Sequence, residues 1–274
     1  MTPRPEHVPG GEGDRRMNEI KGPAFFRLIC RTVALFSPAY KLVGAENLPD
    51  EPCVIVGNHS QMYGPIAGEL HVPGSPYIWC TAEMMHREQV PAYAFQDFWS
   101  GKPRTVRWFY RILSYLIAPL SEYIFTNART VPVYHDAHLI ATFRESVARL
   151  KEGSSLVIFP EHYARRNNIV HDFQDRFIDL ARLYYRSTGK ALSFVPLYLA
   201  PRMKTMFFGQ PIPFRPDAPP AEERRRICDA LMDGITRIAA AQPEHTVVPY
   251  PNIPKRQYPK NIPLEDYTHE AKTL

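Results

Sequence analysis

No stretch of this chain stays apolar for the roughly 20 residues that a membrane-spanning helix needs, so a transmembrane protein is not expected. Cysteine is scarce. Cys30, Cys53, Cys80 and Cys228 are the only four in 274 residues, and none forms a Cys-x-x-Cys pair. Each falls in or beside an apolar stretch, which points to buried free thiols in a reducing compartment and not to disulfides or a zinc site. The glycines build no GxGxxG, no Walker-type loop and no GxSxG elbow, so dinucleotide, P-loop and serine-hydrolase chemistry have no sequence support. No Gly/Ser linker and no internal repeat divides the chain. At about 100–200 residues per domain, one domain is the simpler reading.

What is present is the profile of a globular protein, 45% hydrophobic and 22% charged, with a formal net charge of +5. The positive balance suits an anionic partner: nucleic acid, a phospholipid surface or a phosphorylated substrate. The basic residues are spread across helices and no nucleic-acid reader motif occurs, which disfavours the first. Residues 1–22 are polar, Pro/Gly-rich and without a signal-peptide apolar core, and are expected to be mobile. Residues 23–242 read as the folded domain. Residues 243–274 form a Pro-rich tail expected to extend over the surface.

Along residues 23–242, short apolar strands alternate with amphipathic helices. A helix is expected over 24–36, stopped by Pro38, with Phe25, Ile29, Val33 and Phe36 on one face and Arg27 and Arg31 opposite. "CVIVG" and "PYIWCTA" read as strands. "GKPRTVRWFYRILSYLIAPLSEYIFT" reads as a helix with Arg104, Arg107 and Arg111 on one face and Phe109, Ile112, Leu113 and Leu116 on the other. Such a helix either lies in a membrane interface or packs through its apolar side onto its own core. "TVPVYH" is a strand, followed by a helix over 137–151 with Ile140, Phe143, Val147 and Leu150 aligned, capped by Asp136. "SSLVIF" is a buried-type strand running into a polar loop, and a helix is expected over 172–187. "ALSFVPLYLA" and "TMFFGQPI" are further strands, and Pro220 opens a last helix with Ile227, Leu231, Ile235 and Ile238 in register. The alternation predicts an α/β domain with a mixed, mostly parallel sheet flanked by helices. In such sheets the site lies beyond the carboxyl ends of the strands, where "GNHS" and "FPEH" fall.

Asn58 and His59 directly follow a strand. A neutral imidazole there can take a proton from an acceptor hydroxyl as that oxygen attacks a carbonyl. Backbone amides at the start of the next helix are candidates to stabilise the oxyanion. A lone histidine in this place is more often structural. His135, His138, His162, His171 and Glu161 have no metal-ligand spacing, and no metal is expected.

Four blocks in order carry a resemblance: "NHSQMYG", "RTVPVYH", "FPEHYARR" and "FVPLYLA", spread over residues 45–213. Together they resemble the glycerolipid acyltransferase family that includes the 1-acylglycerol-3-phosphate acyltransferases, whose blocks run NH-x4-D, G-x-x-[FIV]-x-x-R, FPEG-[TS]-R and V-P-[VI]. The resemblance implies a single α/β domain with an N-terminal amphipathic, membrane-associating helix. It implies a peripheral enzyme on the cytoplasmic face of a membrane, moving an acyl group from coenzyme A or acyl carrier protein to a lysophospholipid hydroxyl. His59 would then be the general base, with Asn58 supporting the same turn. Glu161, His162, Tyr163, Arg165, Arg166 and His135 would border the acceptor, and Arg104, Arg107 and Arg111 would touch the membrane. No cofactor is implied, because the acyl donor brings its own activated carbonyl.

Three positions depart from the family pattern. Its Asp falls at Gly64, its second-block Arg at His135, and its Gly-Thr-Arg at His162-Tyr163-Ala164. In a hydrolase triad the carboxylate behind the histidine is worth about 10⁴-fold in turnover. Either another acceptor orients His59 — a backbone carbonyl, the Tyr63 hydroxyl, Asp97 or Asp136 — or His59 no longer acts as a base. Glu69 lies more than a helical turn too far along. The readings that follow are an altered acyltransferase, a non-catalytic lipid-binding relative, or a transferase with a changed acceptor.

Overall fold

The computed structural model describes residues 21–99, 101–134 and 138–262. His135, Asp136 and the stretch 263–274 lie outside the described residues, as does most of the N-terminal segment. In chain order the elements are α1 (Ala24–Phe36), β1 (Lys41–Val43), β2 (Val54–Gly57), α2 (Tyr63–His71), β3 (Tyr77–Thr81), α3 (Val90–Ala94) and α4 (Arg107–Asn127). Then follow β4 (Thr130–Val133), α5 (Leu139–Lys151), β5 (Leu156–Ile158), β6 (Glu161–Arg165), β7 (His171–Phe173) and α6 (Asp179–Thr188). The last are β8 (Ser193–Ala200), β9 (Thr205–Phe208), β10 (Ile212–Pro213) and α7 (Pro220–Ala240).

The fold is α/β. Strands run in the order β1-β9-β8-β2-β5-β3-β4, with β10 beside β8. Only the β8–β9 and β8–β10 pairs are antiparallel, so the sheet is mixed and mostly parallel. Alternation along the central strands sends side chains to two cores. Val54 and Val56 of β2, with Phe194 and Tyr198 of β8, meet Leu150 of α5, Leu180 of α6 and Ile227, Leu231 and Ile235 of α7. Cys53 and Ile55, with Val195, Leu197 and Leu199, face the other way and meet Ala67 of α2. Both sheet faces are thus buried, as continuous Val/Ile/Leu strands require.

Parallel pairing of β2 with β5, Val56 opposite Ile158, brings two distant sequence blocks together. Asn58-His59 and Phe159-Pro160-Glu161 leave adjacent strands at the same carboxyl edge. β8 flanks β2 on its other side, also parallel, with Gly57 opposite Leu197.

Several local expectations shift. The helix expected from residue 172 begins at Asp179, because His171–Phe173 pairs back onto Glu161–Arg165 as an antiparallel hairpin. Of the stripe expected on α5, Ile140 projects into solvent while Phe143, Val147 and Leu150 join the core. On α1 the buried positions are Phe26 and Cys30, and Phe25, Val33 and Phe36 face outward.

Of the two placements open for α4, packing its apolar side onto the core is not the one found. Its inward side is Ser114, Ala118 and Ser121, packed toward α3 through Ala118, Val90 and Ala94. Its outward side carries Trp108, Phe109, Ile112, Tyr115, Leu116 and Leu120, with Trp108 65% and Leu116 70% exposed. Small residues face in because the helix packs close, and the large apolar ones have no core to enter. Arg104 sits in a short 3₁₀ turn ahead of α4. Arg107 is half-buried and donates to the Lys102 carbonyl, and the exposed Arg111 lies 5.3 Å from the Phe95 ring centroid. Phe25 of α1 packs on Tyr123 of α4, so the outward face continues across both helices.

Candidate active site

The chain leaves β2 in a turn that ordinary side chains resist. Ser60 (φ 47°) and Gln61 (φ 57°) are consecutive left-handed residues without being glycine. Such positions cost of order 1–3 kcal/mol each and persist where the surroundings over-determine them. Asn58 supplies the first restraint. Its Oδ1 accepts from the Leu199 amide at 2.7 Å and its Nδ2 donates to the Leu199 carbonyl at 3.0 Å and to Ser60 Oγ at 2.8 Å. The side chain is buried and fully engaged in pinning the turn to β8.

Glu161 supplies the second. Its carboxylate, 4% exposed, accepts the His59 amide on Oε2 at 2.5 Å and the His171 amide on Oε1 at 2.8 Å. Burial pushes this carboxyl up to about 7 even though the two amides favour its charged form. The acidic residue at the third block therefore clasps the backbone of His59 and ties it to the β6–β7 hairpin.

The third restraint comes from the C-terminal segment. Ser60 Oγ donates to the Val248 carbonyl at 3.3 Å, and Gln61 Nε2 donates to the Pro251 carbonyl at 3.3 Å and to Tyr258 Oη at 3.0 Å. The segment is anchored beneath by His245, Val247, Val248 and Asn261, all buried, and by an antiparallel bridge between Thr246 and Lys260. It is closed into a loop across the site. From this loop the Tyr250 ring packs on His59, on His171 and on Tyr163, at centroid distances of 5.6, 5.9 and 5.5 Å.

The His59 imidazole packs on two aromatic rings, Phe159 and Tyr250, each with its centroid 5.6 Å away and in a T-shaped arrangement. Its Nδ1 is buried and makes no hydrogen bond among the described residues. Burial lowers the pKa of the ring below the ordinary 6.5, offset only in part by backbone groups of Gln61 and of His59 itself, so the ring is neutral at pH 7. Neither Tyr63 nor Asp97, two of the expected orienting groups, hydrogen-bonds it, and Asp136 lies outside the described residues.

Gly64 explains why no carboxylate stands there. A Cβ on Gly64 would lie 2.3 Å from the His59 carbonyl oxygen and 3.1 Å from Phe159 Cε1. The Gly64 amide donates to that same carbonyl at 3.1 Å, which closes the turn tightly. The turn also occupies the amides at the start of α2. The Tyr63, Gly64 and Ile66 amides at the start of α2 are used by the Ser60, His59 and Met62 carbonyls, and Pro65 has none. The amides of Ser60, Gln61 and Met62 remain without a hydrogen-bond partner among the described residues.

The arginines of the third block are engaged elsewhere. Arg166 bridges Asp229 and Asp233 of α7 at 2.9 and 2.8 Å. Arg165 holds its own hairpin turn through the Asn167 carbonyl and Asn168 Oδ1. His162 Nδ1 accepts the Ala164 amide at 3.2 Å, and Tyr163 is exposed apart from its contact with Tyr250. The geometry thus unites His59, Asn58, Glu161 and Tyr163, and turns Arg166 toward α7. Two members are not read from the sequence as part of this site. His171 is weighed with Glu161 only as a metal ligand, and its ten-residue spacing across an Asn-Asn turn is the signal of the hairpin. Tyr250 had none, since its place depends on the path of the whole tail. Among the described residues no group of three or more His, Cys, Asp or Glu side chains is arranged to hold a metal ion.

No protein-family model and no curated protein matches this chain. Among solved structures it is similar to the 1-acyl-sn-glycerophosphate (LPA) acyltransferase PlsC of Thermotoga maritima, with a TM-score of 0.44 and 16% identity over 80% of this chain and 81% of that one.

Proposed function

We propose that this chain is a membrane-surface acyltransferase moving an acyl group from a thioester, on coenzyme A or acyl carrier protein, to a hydroxyl of a lysophospholipid. The observation that carries the reading is the His59 imidazole, its neutral form favoured by burial, on a turn held in a strained conformation from three sides. With Nδ1 buried, Nε2 is the nitrogen left for a substrate. It takes the acceptor's hydroxyl proton as that oxygen attacks the thioester carbonyl. The oxyanion meets the unpartnered amides of the Ser60–Gln61 turn. Collapse of the tetrahedral adduct expels the thiolate, which receives the proton from the imidazolium.

The outward face of α4 and α1 supports a bilayer as the place of work. Six large apolar side chains on one helix, flanked by Arg104 and Arg111, suit the interface of an anionic membrane. Among the described residues no helix is long and apolar enough to cross one. With Arg166 occupied by two aspartates, the acceptor is bordered by His162, Tyr163 and His171, groups that recognise hydroxyls and neutral headgroup atoms as readily as a phosphate.

A second reading, a lipid-binding relative without turnover, is favoured by the missing acceptor at Nδ1. Transfer of a labelled acyl group from both donors to a lysolipid panel, run beside His59→Ala, decides between them. Transfer that His59→Ala abolishes supports the enzyme. No transfer from either donor by protein that still binds vesicles overturns it in favour of the second reading.

A further inference from the structure

We propose that Phe159 and Tyr250 clamp the His59 imidazole between their ring edges and thereby do the orienting that an acceptor on Nδ1 would otherwise do. Three observations converge. The ring contacts two aromatic partners at equal distance, with interplanar angles of 67° and 77°. Nδ1 makes no hydrogen bond to any described residue, and beyond the nearby Gln61 and His59 backbone groups it is packing that fixes the ring. The space for a carboxylate is already filled, because a Cβ at Gly64 or at Gly57 would each stand 3.1 Å from Phe159 Cε1.

The glycines and the clamp are therefore one arrangement. Small residues at 57 and 64 let the Phe159 ring settle against the turn, and the settled ring excludes the side chain a carboxylate would need. Edge-to-face aromatic pairs contribute about 0.5–1.5 kcal/mol each beyond area burial, enough to bias a ring between two rotamers by roughly tenfold. Tyr250 is set by the C-terminal loop, through the Ser60–Val248 and Gln61–Pro251 hydrogen bonds, so the tail completes the site. This makes Phe159 and Tyr250 positioning residues, and the kinetic part of the proposal rests on the acyltransferase reading.

The test uses the full chain as wild type, Tyr250→Phe and Tyr250→Ala, with the His59 ring signals followed by NMR and assigned by their loss in His59→Gln. The titratable groups nearby are Glu161, on the His59 amide, and His171 and Tyr163, on the Tyr250 ring, with Asp97 acting on Tyr250. None of these is a cause of the lowered His59 value, which comes from burial. Tyr250→Ala is expected to move the His59 titration up toward 6.5 and to average its ring signals. Tyr250→Phe keeps the ring and should keep the wild-type signature. In turnover, Tyr250→Ala should lose roughly tenfold in kcat with little change in KM, and Tyr250→Phe should recover most of that. A His59 titration unmoved by Tyr250→Ala, in protein that melts like wild type, overturns the clamp. So does Tyr250→Phe behaving like Tyr250→Ala, which would assign the effect to the hydroxyl. Absence of turnover in the wild type refutes the enzyme reading alone, because the NMR arm still judges the clamp.

Discussion

Placing a carboxylate at position 64 is the sharpest perturbation this site offers, and the structure predicts that it fails. In Gly64→Asp the new Cβ would meet the His59 carbonyl oxygen at 2.3 Å, and backbone on both sides leaves no flexible end to yield. Gly64→Ala isolates that clash. Overpacking of this kind costs about 1–3 kcal/mol, and loss of the Gly64 amide's bond to the same carbonyl adds about 1 kcal/mol. A destabilisation of about 3 kcal/mol is expected for Gly64→Ala. Gly64→Asp should exceed that by at least about 1 kcal/mol, because its carboxylate is desolvated against Phe159. At roughly 2–4 °C per kcal/mol for a chain of this class, Gly64→Ala should lower Tm by about 6–12 °C. Urea unfolding gives the free energies, and acyl transfer gives the functional consequence. A Gly64→Asp protein as stable as wild type and faster in transfer would refute the closed-turn argument, since the turn would then have room for the carboxylate.

Glu161 gives a pH prediction. Its carboxyl stands at about 7 when folded against an ordinary 4.5, so between those values the folded chain holds a proton that the unfolded chain has released. Its contribution is complete below about 4.5 and falls by about 3 kcal/mol as pH rises past 7. Glu161→Gln should flatten that slope in urea titrations at pH 5 and pH 8, and equal slopes in the two proteins would contradict it. The lowered histidines His59, His71 and His171 oppose the trend but are common to both proteins. Replacing Trp108, Ile112 and Leu116 together with Ser should abolish sedimentation with anionic vesicles and leave Tm nearly unchanged, whereas Arg104→Ala with Arg111→Ala should weaken binding at low salt and flatten its salt dependence. A triple variant that still sediments sinks the membrane face. Arg166→Ala should cost about 1 kcal/mol by freeing Asp229 and Asp233, with KM for an anionic acceptor within twofold of wild type. A tenfold rise in KM would return Arg166 to the acceptor.

The sheet was legible because its signals are local. β2, β5 and β8 are short β-branched or Leu-rich runs, and α7 repeats Ile227, Leu231 and Ile235 at helical spacing. The carboxyl edge followed from topology alone, and it brought Asn58-His59 to Glu161 as expected. The orientation of α4 was not legible, since a helix with one apolar face reads the same whether that face meets a core or a bilayer. The partners of Arg166 were hidden for a similar reason. Beside Arg165 in the third block it looks like a phosphate ligand, and only the docking of α7 puts two aspartates within reach.

Gly64 shows the limit most clearly. In the sequence it reads as an absence, a glycine where the resembling motif has a carboxylate five residues after the histidine. In the fold the same position is filled, by the His59 carbonyl that the Gly64 amide binds and by the Phe159 ring that two glycines admit. Phe159 arrives from β5 and Tyr250 from a loop closed at Thr246 and Lys260, so the rings that hold the imidazole come from about 95 and 186 residues along the chain. A carboxylate fixes an imidazole by one strong, directional bond, which a motif records at fixed spacing. Two aromatic edges fix it by contact area, which any chain path can deliver and no spacing encodes. Exchanging the first for the second gives up the stabilisation of an imidazolium while keeping the aim of the ring. If His59 is a base, it is one whose geometry is intact and whose charged state is weakly supported. Its rate should therefore rise most steeply with acceptors whose hydroxyl is already acidic.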